Sequence, residues 1–375
     1  MLENSFKFRL SNYWRSIDKK ILFSFLLLFF LGLFFSFSST SSLAGERLNK
    51  DYYFFFSKHL SFSILALLIM TFLSAIDSLL LKRLVPPLFI LSFIFLALVP
   101  IIGVEVNGAR RWLELYFFRL QPIEILKPFF ILMSVKILTL KKLQNTQIKY
   151  FFSFLLLSSV IILLIDQPDL GQSILLTGSW IFTVFISGVS IFYLVGFFSI
   201  FLILFTSLLF LLPEKFGYII NRLITFFDPN QGDKFQSSAA LDAIKLGGFT
   251  GQGMGEGVLK ESVPEAHTDY VIAIISEEYG SIVSVSIIAI FLYISFRIIK
   301  NCFNQDDHFI KISLCGLATL LIFQTFIHAG VNTNLIPTTG MTLPFLSYGG
   351  SSLIGSAILA GIILNYTKNK AYLYD

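Results

Sequence analysis

The sequence is short of charge: Asp, Glu, Lys and Arg make up only 14% of its 375 residues, where soluble domains carry about 25%. That scarcity excludes a water-soluble enzyme and a disordered, charge-rich binder. Cysteine is nearly missing too, with two residues, Cys302 and Cys315. Both fall in or beside one connection, which excludes a secreted disulfide scaffold. The first apolar run is about 20 residues long and no small-residue cleavage site follows it, so it is no cleavable signal peptide. The net charge of +5 does not point to nucleic acid, because Lys and Arg sit beside apolar stretches instead of on one soluble face. No internal repeat is visible, which counts against an inverted-repeat transporter.

What is abundant is apolar: 55% of the chain, including 44 Phe, which read as lipid-facing filler. A transmembrane helix takes about 20 residues, so this content fills roughly ten spans. Hydropathy read against charged and Gly/Pro breaks places them near 20–41, 53–75, 84–103, 121–140, 150–166, 170–188, 190–212, 268–297, 309–331 and 348–367. The fold class is therefore an all-α polytopic membrane protein, one integral domain over residues 1–375. The sixth and seventh spans meet at Ser187-Gly188-Val189-Ser190, which reads as a turn or a kink.

Orientation follows from the short connections. With the N-terminus inside, Lys7, Arg9, Arg15, Lys19 and Lys20 of segment 1–19 are cytoplasmic. So are Lys82, Arg83, Lys141, Lys142, Lys149, Arg297, Lys300, Lys311, Lys368 and Lys370. Only Arg47, Lys50, Arg110, Arg111 and Arg119 fall outside. This asymmetry satisfies the positive-inside rule and puts both termini in the cytoplasm. The long polar segment 213–267, between spans seven and eight, then faces outward. Loops of that length are functional or disordered. Its glycine-rich run Gly247–Gly257 lacks a preceding strand and faces away from cytosolic nucleotides, so it is no nucleotide loop. It reads as tightly turning backbone able to lie against a ligand or the membrane surface.

Ionisable residues in such a chain are functional hypotheses, because each costs a few kcal/mol at mid-bilayer. Glu124 and Lys127 are three apart on one helix face and can neutralise each other; helix positioning and substrate contact both remain open. Asp169 opens the sixth span and can cap it. Arg110 and Arg111, beside Trp112, suit either headgroup anchoring or a pyrophosphate, which guanidinium groups grip with paired hydrogen bonds. Asp269, next to His267 and Thr268, sits where the large loop enters span eight. It can be a helix cap, or a proton acceptor tuned by burial and nearby cations. Glu277 and Glu278, about two turns further, read as helix-packing groups. Finally, Asn334–Ser352 carries Pro337, Pro344, Gly349, Gly350 and the hydroxyls of Ser347, Tyr348 and Ser351. Such broken backbone survives at membrane depth only where it lines a protein cavity.

These motifs, in order, resemble the SEDS family. They are Arg110-Arg111-Trp112-Leu113, Gln121-Pro122-Ile123-Glu124-Ile125-Leu126-Lys127, Gln167-Pro168-Asp169-Leu170-Gly171-Gln172, Pro264-Glu265-Ala266-His267-Thr268-Asp269, Pro337-Thr338-Thr339-Gly340 and Ser347-Tyr348-Gly349-Gly350-Ser351-Ser352. The resemblance covers essentially the whole chain and is closer to the division branch than to the elongation branch. One departure is Ile123, where the family commonly has Ser. The resemblance implies a glycosyltransferase of the bacterial inner membrane, at the division septum, that polymerises lipid II and releases undecaprenyl pyrophosphate. It implies Asp269 as general base, with Arg110, Arg111, Glu124, Lys127, Asp169, His267, Thr268, Pro337, Ser347, Tyr348, Gly349, Gly350 and Ser351 along a substrate groove. It further implies a class B penicillin-binding protein transpeptidase, other divisome proteins, membrane lipids and undecaprenyl-linked glycan as partners, and no nucleic acid. No organic cofactor is implied, and a divalent cation (Mg or Mn) stays open. A lipid II flippase, an elongation polymerase and a non-catalytic scaffold are the competing readings.

Overall fold

The computed structural model of the protein describes residues 12–40, 53–106, 108–116, 118–211, 213–227 and 235–369. Lys7, Arg9, Arg47, Lys50, Asn107 and Lys370, used in the sequence reading, lie outside the described residues. Helices dominate: α1 (Lys19–Phe35), α2 (Phe54–Ala75), α3 (Ser78–Ile102), α4 (Pro122–Leu138), α5 (Thr146–Asp166), α6 (Leu170–Ile186) and α7 (Ile191–Leu211). They are followed by α8 (Pro213–Phe227), α9 (Phe235–Gly247), α10 (Val271–Tyr279), α11 (Ser281–Cys302), α12 (His308–Asn332) and α13 (Gly350–Tyr366). Six of them, α1, α2, α3, α5, α11 and α12, are long and apolar enough to cross a membrane. The shorter α6, α13 and the start of α7 are apolar as well.

The helices start where short polar side chains can take up their unpaired first N–H groups. Asp18, Asp77, Asn145, Asp169 and Asp307 each accept hydrogen bonds from the first turn of α1, α3, α5, α6 and α12. Because Asp77 caps α3, that helix begins at Ser78 and not near residue 84; Lys82 and Arg83 ride on its first turns.

The centre of the bundle is α13, buried from Ser351 to Tyr366. It packs against α2 and α4, and α12 lies against α4, α6 and α11. Small residues allow the close approach. A side chain on Gly355 would strike the Glu124 carbonyl, and one on Gly350 would strike the Phe62 ring at 2.6 Å. At the periphery, α7 turns Phe192 and Ile203 outward, as lipid-facing helices do.

Three expectations need correction. The fold is not purely helical: β1 (Val104–Val106), β2 (Ala109–Leu115) and β3 (Phe118–Leu120) form an antiparallel sheet between α3 and α4. Val106 pairs with Ala109, so β1 and β2 form a tight hairpin, and Gly108 takes a positive φ of 75° before β2. The eighth span is not continuous from 268: Gly280, at φ 85°, separates α10 from α11. Segment 213–267 is also more ordered than a loop, holding α8, α9 and a 3-10 turn at Leu259–Glu261. The break at 187–190 is a turn, as α6 and α7 are separate helices.

The glycine-rich run closes onto the end of α10. Gln252 N and Gly253 N donate to the Glu277 and Glu278 carbonyls at 2.8 and 3.0 Å, meeting acceptors that the helix end leaves unpaired. Gly251, at φ 84°, lies so close to the Glu278 carbonyl that no Cβ fits. The two glutamates hold the same loop from below. Glu277 accepts from Leu259 N at 2.6 Å, and Glu278 pairs with Lys260 at 2.7 Å. So the run serves α10, the helix that starts beside Asp269.

Candidate active site

Arg111 organises one wall. Its Nε donates to the Gln167 carbonyl at 3.1 Å and its Nη2 to the Pro168 carbonyl. This holds the turn that presents Asp169 to α6. Asp169, 2% exposed, accepts from Gln172 N at 3.3 Å and from Gln121 Nε2 at 3.3 Å, with Arg111 Nε 4.0 Å away. The capping role read from the sequence is the one its geometry shows. Arg110 points elsewhere. It pairs with Glu105 at 3.6 Å on the exposed face of the sheet, while Arg111 sits where the pairing of β1 with β2 shifts register.

Asp269 stands on the other wall. Glu265, at φ 51°, turns the chain so that its carbonyl takes the amides of Thr268 and Asp269 at 3.1 and 3.0 Å. The side chain of Asn332, from α12, clamps this turn to α10: its Nδ2 donates to the Asp269 carbonyl and its Oδ1 accepts from Ala273 N, both at 3.0 Å. Helix α10 has Tyr270 at its N-cap and no side-chain cap. Asp269 therefore does not cap, and Thr268 Oγ1 bonds instead to Glu265 Oε2 at 2.9 Å. Among the described residues nothing donates to the Asp269 carboxylate. Burial first, then the nearby Glu265 carboxylate, push it from the ordinary range up to about 7, against the pull of Arg111 and Arg222.

The gap between the walls is kept open by Gly340, at φ 66°. A side chain there would lie 3.4 Å from Asp269 Oδ2 and 3.9 Å from Arg111 Nη1. Gly340 belongs to the broken stretch 333–349, whose backbone is met by side chains, as buried irregular backbone must be. Arg222 donates to the Thr338 carbonyl at 3.2 Å, His328 Nδ1 lies 2.7 Å from the Met341 carbonyl, and Gln324 Nε2 donates to the Thr342 carbonyl at 3.0 Å. Ser347 Oγ takes Leu343 N at 2.8 Å and donates to the Thr268 carbonyl at 2.6 Å. Tyr348 N donates to the His267 carbonyl at 2.9 Å, and the Tyr348, His267 and Phe55 rings cluster within 5.8 Å. Pro337 lies within this stretch, Gly349 ends it and Gly350 opens α13.

Glu124 and Lys127 lie deeper. They form an ion pair at 2.8 Å with both side chains 4% exposed. Gln172 Nε2 donates to Glu124 at 2.7 Å, and Lys127 donates to Gln324 Oε1 at 3.1 Å. Ser351 Oγ accepts from Gln121 N at 2.9 Å at the head of α4. The pair thus joins α4, α6, α12 and, through Gln324, the broken stretch.

The chain matches the family model described as "Cell cycle protein" (FTSW_RODA_SPOVE) over residues 18–372. The chain belongs to this family. A Caulobacter vibrioides relative, "Probable peptidoglycan glycosyltransferase FtsW", is 33% identical, covering 96% of this chain and 92% of the relative. "Stage V sporulation protein E" of Bacillus subtilis is 32% identical over 92% of this chain and 96% of its own. Among solved structures, a chain from "Structural coordination of polymerization and crosslinking by a peptidoglycan synthase complex" superposes with TM-score 0.77 at 26% identity, covering 96% of this chain and all of that one. The crystal structure of Thermus thermophilus rod shape determining protein RodA gives 0.68 at 26% identity, covering 94% and 97%. The protein is a multi-pass membrane protein with the SEDS fold.

Sequence reasoning missed Arg222, Asn332, Gln324 and His328. Arg222 lies on α8 and the other three are isolated polar residues of the apolar α12, with no motif to mark them. As for a metal, no three His, Cys, Asp or Glu side chains converge among the described residues.

Proposed function

We propose that the protein is a peptidoglycan glycosyltransferase that polymerises lipid II at the division septum, with Asp269 as general base. The observation that carries this reading is the Asp269 carboxylate: half-buried, free of any capping duty, held near neutrality and separated from Arg111 only by a glycine. A base with pKa near the working pH is the most effective proton acceptor. Asp269 takes the proton of the acceptor sugar hydroxyl as that oxygen attacks the anomeric carbon of the growing strand. The bond to undecaprenyl pyrophosphate breaks, and the configuration inverts. The leaving group departs as an anion, so no second carboxylic acid is needed. Arg111 and Arg222, rather than Arg110, offset its charge.

Names of the relatives support the activity and the division role. The likeness to a chain of a complex that coordinates polymerization and crosslinking supports a transpeptidase partner, of the class B penicillin-binding type. Helices at or near the ten expected positions, with the eighth broken at Gly280, support ten spans, both termini cytoplasmic and α8 to α9 outside. Cysteine at Lys245, 66% exposed, in a chain lacking Cys302 and Cys315, should then react with an impermeant thiol reagent in intact spheroplasts. Labelling only after lysis would invert the orientation.

The decisive experiment supplies purified protein and its transpeptidase partner with lipid II and measures glycan product. Polymer from the parent chain and none from Asp269→Asn supports the reading. Lipid II movement across liposomes without polymer would favour the flippase instead.

A further inference from the structure

At the end of the bundle opposite Asp269 lies a cavity of about 650 Å³ that the reaction does not use. Three pieces of chain enclose it: the start of α1, the end of α11 and the residues after α13. Asn369 N donates to the Ser16 carbonyl at 2.8 Å, tying the first and last pieces together. The lining is cationic, with Arg15, Lys19, Lys20, Arg297 and Lys368 against Asp18 and Asp306.

Most of the negative charge is already committed. Asp18 caps α1 through Lys20 N and Ile21 N at 3.0 and 3.2 Å, and also takes Arg297 Nε at 3.1 Å and Asn301 Nδ2 at 2.7 Å. Arg15, Lys19 and Lys20 are exposed on the rim, where Asp306 is the remaining acid. Lys368 is the telling residue. It is only 6% exposed, yet its Nζ meets only the Ile76 carbonyl at 3.3 Å and the Tyr13 ring at 5.6 Å, both neutral groups. No carboxylate lies within ion-pair distance of it among the described residues. Burying an ammonium without a counter-ion is costly, and burial lowers its pKa to about 8, opposed by Asp77. An anion in the cavity would remove that cost.

The surroundings identify the anion's carrier. Trp14 and Phe23 are exposed beside the rim, with ring centroids 6.4 Å apart, an arrangement suited to the headgroup level. From Phe23 an exposed apolar stripe runs along α1 through Leu27, Phe30 and Phe34, at the i, i+4, i+7, i+11 spacing of one helix face. A phosphodiester in the cavity and an acyl chain on this stripe would belong to one molecule. We propose that this cavity binds the headgroup of an anionic phospholipid of the adjoining leaflet, so that one lipid joins the start of α1, the end of α11 and the C-terminal residues.

The test uses the full chain, purified and delipidated in detergent, with phosphatidylglycerol or phosphatidylcholine titrated in and read by native mass spectrometry. One phosphatidylglycerol per chain should be retained in preference to phosphatidylcholine, and excess inorganic phosphate should not displace it. Each basic residue near a membrane surface contributes about five-fold in affinity for anionic lipid. Lys20→Ala/Lys368→Met should therefore weaken retention by about 25-fold. If burial makes Lys368→Met unstable, Arg15→Ala/Lys20→Ala, both on the exposed rim, should give a loss of the same order. Equal retention of the two lipids, unchanged retention in the rim variant, or displacement by phosphate would overturn the proposal. None of these outcomes depends on Asp269 or on polymerisation.

Discussion

Two acidic residues in this apolar chain live under opposite conditions. Glu124 is almost inaccessible, and both of its oxygens are met, one by Lys127 at 2.8 Å and one by Gln172 at 2.7 Å. Asp269 is half-buried, and nothing among the described residues donates to its carboxylate. A buried charge with every partner in place is architecture. A buried charge kept without partners is held ready for something that arrives. The largest expected effect follows from the first condition. Lys127→Ala leaves Glu124 buried without its counter-ion, and breaking a buried pair costs about 3–5 kcal/mol. Unfolding of the purified protein should show a loss of that size, while Glu124→Gln/Lys127→Met recovers part of it. Single variants that were fully stable yet inactive would move the pair from architecture to substrate contact.

The second condition predicts the reverse pattern for Asp269. General base assistance is worth about 10²–10⁴ in rate, so Asp269→Asn should lower polymerisation by at least about 10² while leaving folding and membrane level intact. Because the side chain caps no helix, Asp269→Ala should behave like the Asn variant; an Asn variant with near-parental polymer would remove the base assignment. Stability gives an independent check of sign. A carboxylate raised on folding favours the protonated folded state, so it destabilises the fold increasingly as pH rises from the unfolded value toward about 7. The Asn variant should thus melt above the parent at pH 8, and the difference should vanish below about pH 4.

A smaller effect sharpens the same contrast. With Asp269 titrating at about 7, polymerisation by the parent should fall toward ten-fold per pH unit once the pH is well below that value. A flat profile between pH 5 and 8, with substrate saturating, would show that no group of this pKa has to lose its proton.

Much of this site was readable from residues alone, and the reason is local. The three-residue spacing of Glu124 and Lys127 on a helix fixes a shared face, and Asp169 before an apolar run announces a cap. Non-local geometry was not readable. That α12 would supply Asn332 to clamp the Asp269 turn, or α8 would supply Arg222, depends on packing between segments far apart in sequence. Gly280 as a helix break was hidden too, since a glycine inside an apolar run reads as tolerated. The glycine-rich run could be recognised as tight backbone, but its partner, the end of α10, could not.

Arg110 and Arg111 show how one missed local signal propagates. Read as a pair at the membrane surface, they suggest a two-pronged grip on pyrophosphate. The hairpin of β1 and β2 makes their segment a strand whose register shifts at Arg111, and the two side chains leave it toward different partners. Arg111 reaches two carbonyls of the Asp169 turn, while Arg110 meets Glu105 at 3.6 Å with its side chain 55% exposed. Exposed ion pairs contribute about 0–1 kcal/mol, so Arg110→Ala should change stability by less than that and leave polymerisation essentially unaltered. Arg111→Ala should lose activity, because both the turn and the cation beside Asp269 go with it. Comparable losses from the two substitutions, at matched protein levels, would restore the two-pronged grip and require the sheet to turn Arg110 inward when substrate binds.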